Sequence, residues 1–182
     1  MMWIGRLLTG LRAGSSRSLW EDPEWVGAGT LEVSSPAYAD TEPIPRMYAG
    51  PGAGDNVSPE LNWTAIPQDA RTTVIWFEDT DAPTRSPLVH TAAVLPATKT
   101  SLAHGELNTP PQQVRLVRAT LGIRRYHGPG PIPGHGPHTY RLLVFALDIE
   151  LSADQVSTMR SLRRAGRGHI LARGMLTGTY ER

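Results

Sequence analysis

The pattern of apolar and polar positions divides the chain into a helical beginning, a long strand-rich middle and a helical end. Residues 2–12 predict a short amphipathic helix, because their apolar side chains recur at helical spacing. These side chains are Trp3, Ile4, Leu7, Leu8 and Leu11, with Arg6 and Arg12 on the other side. Such a helix can pack on the domain, clasp a second subunit or lie on a membrane surface. We expect packing, because a helix this short is marginal alone.

Three runs in the middle of the chain predict strands that are covered on both faces. Residues 72–78 are β-branched or aromatic on both faces, and residues 88–95 show a similar apolar run. Residues 139–147 are apolar at both odd and even positions from Leu142 onwards. Strand-like alternation begins near Leu31. We therefore expect residues 1–29 to be a helical extension with a polar linker and residues 30–182 to form one mainly β domain.

The end of the chain predicts a helix followed by a strand. Residues 152–155 match a capping box, and the apolar stripe continues through Val156, Met159 and Leu162. Residues 169–173 predict one further helical turn, and residues 175–180 a short terminal strand. Arginines cluster between Arg160 and Arg173, and we interpret them as a solvated helix face.

Composition narrows the classes of function and site. At 182 residues and 40% hydrophobic content the chain can bury a core, and its net charge of +1 gives no reason to expect nucleic acid. The first apolar stretch is interrupted by Arg6 and is too short for a transmembrane segment. The chain has no cysteine, which excludes disulfides, thiolate metal ligands and a cysteine nucleophile and makes the cytoplasm the expected location.

The first half of a candidate site follows the strand at residues 72–78. Asp79 and Asp81 lie two residues apart, so they point the same way in an extended chain, and Pro83 ends the strand. On the next strand, alternation places His90 on the same inward, mostly apolar face as Ala92. A polar side chain there needs a partner, and the two aspartates are candidates.

A proline- and glycine-rich segment supplies the second half of the candidate site. Proline and glycine alternate through residues 128–137, which excludes a helix and predicts a stiff loop with backbone amides available to an anion. His138 and Tyr140 follow the loop and share one face of the next strand. A proline-rich ligand for an SH3-type partner is the alternative, but the histidines and the directly following strand disfavour it.

These motifs resemble those of the phosphatidylethanolamine-binding protein family, in its bacterial Raf-kinase-inhibitor-like branch. The matching segments run in order through residues 30–182 and lie at 55–63, 79–83, 90, 126–129, 138–140 and 178–180. The resemblance implies a β-sandwich with a C-terminal helix and a small anion pocket at one end of the central sheet. The pocket residues that it implies are Asp79, Asp81, Ala82, Pro83, His90, Tyr126, Gly128, Pro129, Pro131, His138 and Tyr140. Thr80 and Thr91 depart from the family pattern, which usually has proline and tryptophan there.

The resemblance and the residues together lead us to expect a non-catalytic binding protein for phosphate or a phospholipid head group, without cofactor or metal. We expect Asp79 or Asp81 to orient His90 and His138 and to favour their charged forms. Tyr140 and loop amides would complete the cradle, so binding should weaken as pH rises.

Three other functions stay open from the sequence. The resemblance implies a regulator that binds another protein, such as a kinase, and bacterial relatives imply a homodimer. A metal-dependent enzyme could use His90, His138 and Asp81, although the proline-rich loop is not a helix that presents ligands four residues apart. A serine hydrolase is disfavoured, because Ser58 and Ser86 lie in no G-x-S-x-G turn.

Overall fold

Two β-sheets dominate the computed structural model, which describes residues 2–182. Its helices are α1 (Met2–Leu8) and α2 (Met159–Gly166). Its strands are β1 (Gly29–Thr30), β2 (Glu32–Ser34), β3 (Leu61–Thr64), β4 (Thr72–Asp79), β5 (Leu88–Pro96), β6 (Ser101–Leu102), β7 (Arg115–Val117), β8 (His138–Leu147) and β9 (Ile170–Tyr180). Short 3-10 turns cover Ser15–Arg17, Leu19–Glu21, Pro23–Trp25 and Arg46–Tyr48. The fold is mainly β with a C-terminal helix, as the sequence predicts.

The larger sheet has six strands in the order β1-β9-β8-β4-β5-β7, and the smaller sheet has the order β2-β3-β6. Strand β4 is central and runs antiparallel to both of its neighbours, β5 and β8. Its last residue, Asp79, pairs with Leu88 on one side and Tyr140 on the other. The end of β4 and the beginnings of β5 and β8 therefore meet at one edge of the sheet, which brings the candidate residues together.

Each face of the six-stranded sheet is covered by a separate hydrophobic cluster. One cluster joins Phe77, Leu142 and Val144 to Leu61 and Trp63 of the smaller sheet. The second cluster lies on the opposite face and joins buried side chains of the strands, the early turns and α2, among them Val74, Trp76, Leu143, Phe145, Leu19, Trp25 and Leu162. Alternating side chains of β4 and β8 thus enter different cores, as the apolar pattern of both runs predicts.

Helix α2 begins later than the capping pattern at residues 152–155 predicts. The Ser152 amide donates to Gln155 Oε1 at 3.1 Å and closes a turn instead. The helix is capped by Thr158 and Ser161, each of whose side chains accepts from the other's backbone amide. The predicted helical turn at residues 169–173 is also wrong, because β9 pairs along β8 from Leu147 to His138. Pairing across the sheet overrides the local preference there.

His90 occupies an irregular position in β5. The register pairs Phe77 with Thr91 but Glu78 with Val89, which leaves His90 as the additional residue of a bulge. Its ring contacts Phe77 and Tyr140, with centroids 5.8 and 5.5 Å away, on the face opposite Ala92. The prediction that His90 shares a face with Ala92 is therefore wrong, because the bulge shifts the alternation by one residue.

Helix α1 ends at Leu8, which is half-buried, whereas the side chains of Trp3, Ile4 and Leu7 face the solvent. Trp3 and Leu7 are 66% and 73% exposed, and Leu11 beyond the helix is 57% exposed. The buried face is at Gly5, where an added Cβ would overlap the Pro133 carbonyl oxygen. The helix therefore contacts the proline-glycine loop through its backbone. Within residues 2–182, no helix is long and apolar enough to cross a bilayer.

Candidate functional site

The candidate site lies where β4, β5 and β8 meet at one edge of the six-stranded sheet. Tyr140 is fully buried at its centre, with the His90 ring centroid 5.5 Å away and the His138 centroid 6.3 Å away. Phe77 lies 5.8 Å from Tyr140 and from His90, so an aromatic wall closes one side. Of the residues that the sequence singles out, Asp79, His90, His138 and Tyr140 come together directly.

Asp79 begins a buried chain of hydrogen bonds that ends at the N-terminal helix. Its Oδ2 lies 2.7 Å from His138 Nδ1, and His138 Nε2 lies 2.6 Å from His135 Nδ1. The other nitrogen of His135 lies 2.7 Å from the Leu8 carbonyl oxygen. Both nitrogens of His138 are therefore occupied by protein groups, so His138 orients the site rather than contacting a ligand.

The Leu8 carbonyl oxygen can only accept, so His135 Nε2 donates to it. The contact between His135 and His138 then needs one proton between the two ring nitrogens, because two lone pairs cannot form a hydrogen bond. Three consecutive hydrogen bonds therefore link Asp79 through both rings to the main chain of Leu8.

His90 presents an unpaired nitrogen to the site. Its Nδ1 lies 3.0 Å from the Gly128 carbonyl oxygen, to which it donates, and 3.2 Å from His127 Nδ1. Its Nε2 is buried and has no hydrogen-bond partner among residues 2–182. Burial lowers the pKa of His90 to about 4, against the opposing influence of Asp79. The ring is therefore neutral near pH 7, and Nε2 carries a lone pair rather than a proton.

Tyr140 presents the second unpaired atom. Its hydroxyl is buried and makes no hydrogen bond of acceptable geometry within the described residues, although Asp79 and the Gly130 backbone lie nearby. Burial, reinforced by the Asp79 charge, raises the pKa of Tyr140 far above its usual value. The side chain thus stays a neutral phenol that is able to donate one hydrogen bond.

Asp81 takes a different role from the one that the sequence suggests. Its Oδ1 lies 2.9 Å from Arg12 Nη1, and its Oδ2 accepts from the Thr139 amide at 2.7 Å. Burial raises the pKa of Asp81, but the hydrogen bonds from Arg12 and Thr139 outweigh burial and lower it overall. Asp81 therefore holds the N-terminal segment and β8 in place and does not contact either candidate histidine.

Arg12 ties the N-terminal segment to both loops at this edge. Besides Asp81, its guanidinium donates to the carbonyls of Pro137 at 2.9 Å and His135 at 3.3 Å. The next two amides, of Ala13 and Gly14, donate to the carbonyls of residues 82 and 80 at 2.9 and 2.8 Å. Residues 5–14 thus lie across the edge of the candidate site. Ala82 is buried beneath this segment, and the next residue, Pro83, is half-buried.

The proline-glycine loop is held closely against residues 48–56. Gly128 has no room for a side chain, since a Cβ would overlap the Tyr48 carbonyl oxygen. The Gly128 amide donates to Asn56 Oδ1 at 3.0 Å, and the Pro129 carbonyl accepts from the Gly50 amide at 2.6 Å. Pro129 and Pro131 are both buried. These contacts position the Gly128 carbonyl that orients His90.

Tyr126 lines the site with its ring only. Its ring stacks on Phe77 at a centroid distance of 6.4 Å, and its hydroxyl donates to the Tyr48 carbonyl at 2.9 Å.

Thr91 and Thr80, the two residues that depart from the family pattern, also have defined hydrogen bonds. Thr91 Oγ1 accepts from the His127 amide at 3.0 Å, and the Thr80 amide donates to the Thr139 carbonyl at 3.1 Å.

Three further residues belong to this arrangement and are absent from the predicted set. His135 is fully buried, and its three-residue spacing from His138 is a signal that favours a contact. His127 follows Tyr126 within the recognised loop motif and lies against His90. Arg12 carries no comparable signal, because it lies far from Asp81 in the sequence. Among residues 2–182, no three His, Asp or Glu side chains are arranged to hold a metal ion.

Comparisons with known proteins agree on one family. The family model for phosphatidylethanolamine-binding protein matches residues 34–181. A UPF0098 protein of Pyrococcus horikoshii is 32% identical over 168 residues, which cover 86% of this chain and 81% of that protein. Among solved structures, the Chlamydia trachomatis homologue CT736 has a TM-score of 0.74 at 29% identity, with 85% of this chain and 99% of that chain covered. Escherichia coli YbcL, described as a member of the mammalian PEBP family, has a TM-score of 0.77 at 26% identity over the same shares.

Proposed function

This chain belongs to the phosphatidylethanolamine-binding protein family, and from that premise we propose that it binds a small phosphate-like anion between His90 and Tyr140. One observation carries the proposal: two buried polar atoms, His90 Nε2 and Tyr140 Oη, make no hydrogen bond of acceptable geometry within residues 2–182. Their rings are 5.5 Å apart. Leaving buried polar groups unpaired costs about 1–3 kcal/mol each, so such pairs are typical of sites that a ligand completes.

The chemistry of the two atoms suits an oxyanion that brings a proton with it. Tyr140 donates to one ligand oxygen, since its hydroxyl is neutral. His90 is neutral when the site is empty, so a second ligand oxygen must arrive protonated or cause the ring to take up a proton. Phosphate and its monoesters satisfy this condition, because their second ionisation lies near neutral pH. A monoester loses this proton in its second ionisation, so its affinity should fall as pH rises, whereas the inorganic phosphate dianion still carries one proton.

This proposal assigns the histidines differently from the sequence-based hypothesis. His138 keeps both nitrogens in the chain from Asp79 to Leu8, so it positions β8 and does not donate to the anion. His90 is oriented by the Gly128 carbonyl rather than by an aspartate, and it is the ring that contacts the ligand. Asp79 acts on the anion only through His138 and through its charge near Tyr140.

Access to the site requires local movement. Both unpaired atoms are closed to solvent, and Gly128, Pro129 and Pro131 are buried around them. A phosphate group reaches His90 only if the loop at residues 128–131 gives way. Association should therefore be slower than the 10⁵–10⁷ per molar per second that is typical of unhindered binding, on the order of a tenth of it or less.

Calorimetric titration with inorganic phosphate and phosphorylethanolamine at pH 6 and pH 8 tests the proposal. The wild type should bind phosphorylethanolamine more tightly at pH 6, and Tyr140→Phe should weaken the binding of both ligands by roughly tenfold, because it removes a single donor. Tyr126→Phe is the matched control, since its hydroxyl donates to Tyr48 outside the unpaired set. Equal binding by all three proteins at both pH values would reject the site.

The sequence also suggests a protein partner and a homodimer, and both stay predictions.

A further inference from the structure

A second site lies on the opposite face of the same sheet. Trp76 and Glu78 alternate with Phe77 and Asp79 along β4, so they point away from His90 and Tyr140. They form the floor of a cleft of about 520 Å³ between β4, β5, α2 and the turn at Ser15–Arg17. This volume lies within the range of about 300–1,000 Å³ that small-molecule sites occupy.

Five arginines surround this cleft, and four of them come from one face of α2 and its end. Arg160, Arg163, Arg164 and Arg167 recur at the helical spacing of three and four residues, and Arg17 faces them. Arg163 and Arg167 are paired, with Asp22 at 2.8 Å and Glu24 at 3.0 Å. Within residues 2–182, the guanidinium groups of Arg160 and Arg164 form no ion pair or hydrogen bond. Two uncommitted guanidinium groups therefore lie one helical turn apart at the cleft edge.

Part of the cleft floor is apolar. Its members Leu19, Trp76 and Val89 are almost fully buried in the cluster on this face, and Met159 packs against that cluster. Glu78 also reaches the floor, where its carboxylate accepts from Ser18 Oγ and from Trp76 Nε1 at 2.9 Å. Burial raises the pKa of Glu78 despite these donors, which reduces the negative charge that it presents there.

We propose that this cleft binds an amphiphilic anion, namely a phosphate ester with an aromatic or aliphatic body. Arg160 and Arg164 would hold the phosphate through charge-assisted hydrogen bonds, which the planar guanidinium forms in pairs. The body would lie on the apolar floor near Trp76 and Val89. The sequence favours the interpretation that these arginines form a solvated helix face. That interpretation explains their spacing but not the partly apolar cleft that they surround.

Fluorescence titration with 1-naphthyl phosphate, at constant ionic strength, tests this site in the full chain. The double variant Arg160→Gln, Arg164→Gln should weaken binding at least tenfold, because it removes both free guanidinium groups. The matched control is Arg46→Gln, Arg71→Gln, which removes the same charge from two exposed arginines outside the cleft. The control variant should bind like the wild type, and circular dichroism of each variant should show the wild-type fold.

Two probes separate the contributions of charge and apolar surface. Inorganic phosphate and 1-naphthol should each bind at least tenfold more weakly than 1-naphthyl phosphate, because each engages only half of the site. These titrations are made in the Tyr140→Phe background, because phosphate and its esters are also candidates for the site at His90, which this substitution weakens. In that background the loss of 1-naphthyl phosphate binding should depend on Arg160 and Arg164. The proposal is overturned if Tyr140→Phe shows no saturable binding, if the control variant loses affinity equally, or if either half-probe binds as well as the ester.

Discussion

His138 donates to the Asp79 carboxylate over 2.7 Å, and the two side chains are only 1% and 3% exposed. The pair closes β8 onto the end of β4, and the chain of hydrogen bonds continues from His138 to His135. A second aspartate-histidine pair, Asp148 with His169 at 2.9 Å, has the same atoms but is 45% and 42% exposed. The protein thus contains a buried and an exposed version of one interaction.

Replacing Asp79 by asparagine should destabilise the protein far more than replacing Asp148. Asp79→Asn removes one partner of a buried hydrogen bond, at a cost of about 1–3 kcal/mol in the free energy of unfolding. Asp148→Asn should cost less than about 1 kcal/mol, since water replaces the lost partner. Urea denaturation at pH 7 measures both. Equal losses would contradict the structural role given to the buried pair.

Two tyrosine substitutions should change stability in opposite directions. Tyr140→Phe removes an unpaired buried hydroxyl, so the free energy of unfolding without ligand should stay the same or rise by up to about 1 kcal/mol. Tyr126→Phe leaves the Tyr48 carbonyl without its donor and should cost about 1 kcal/mol. Thermal unfolding in phosphate-free buffer makes the comparison. A large loss in Tyr140→Phe would show that its hydroxyl is already paired.

Stability should fall as the solution is acidified from pH 6.5 to pH 4, partly because of His90. The pKa of His90 is lowered from 6.5 to about 4 by burial, so the unfolded chain binds its proton more readily than the folded protein does. The contribution of this ring is complete above pH 6.5 and is lost as pH falls towards 4, by roughly 3 kcal/mol in total.

The variant His90→Asn isolates that contribution. Asparagine keeps an N–H for the Gly128 carbonyl but does not titrate, whereas the lowered pKa of His127 still contributes in both proteins. Unfolding free energies of the two proteins, measured at several pH values, should diverge in slope between pH 4 and 6.5. Parallel curves would show that His90 is accessible to protons in the folded state.

Arg12 should determine how firmly residues 5–14 cover the site. Arg12→Ala removes the Asp81 ion pair and two bonds to loop carbonyls, for a loss of about 1–2 kcal/mol. The Ala13 and Gly14 amides should then exchange hydrogen faster, because their acceptors lie at Ala82 and Thr80. Arg6→Ala, an exposed substitution on α1, is the control. Unchanged exchange at these two amides would contradict the role given to Arg12.

Much of the sheet could be predicted from the sequence, because its central strands are apolar on both faces. The alternation in residues 139–147 correctly assigns Leu142 to one core and Leu143 to the other. Local patterns failed where distant contacts decide the conformation. Residues 170–173 join β9 because β8 offers a pairing partner, and α2 starts at its Thr158 cap rather than at the earlier capping pattern.

The sequence indicated which residues lie at the candidate site more accurately than it indicated which of them contact one another. Asp79, His138 and Tyr140 meet as expected, since strand alternation carries that information. The bulge at His90 cannot be inferred from alternation, because one additional residue reverses the face of everything that follows. The contact between Arg12 and Asp81 depends on how the N-terminal segment folds back, which no periodicity encodes.

The most direct test of the account is the ¹⁵N NMR signal of His90 Nε2 at pH 6, with and without saturating inorganic phosphate. Without phosphate, the signal should be that of an unprotonated nitrogen, because burial lowers the pKa of His90 to about 4. Saturation should move it towards the position of a protonated nitrogen, since the anion and its proton meet this atom. A signal that stays unchanged at saturation would contradict the account, because the phosphate would then be bound elsewhere.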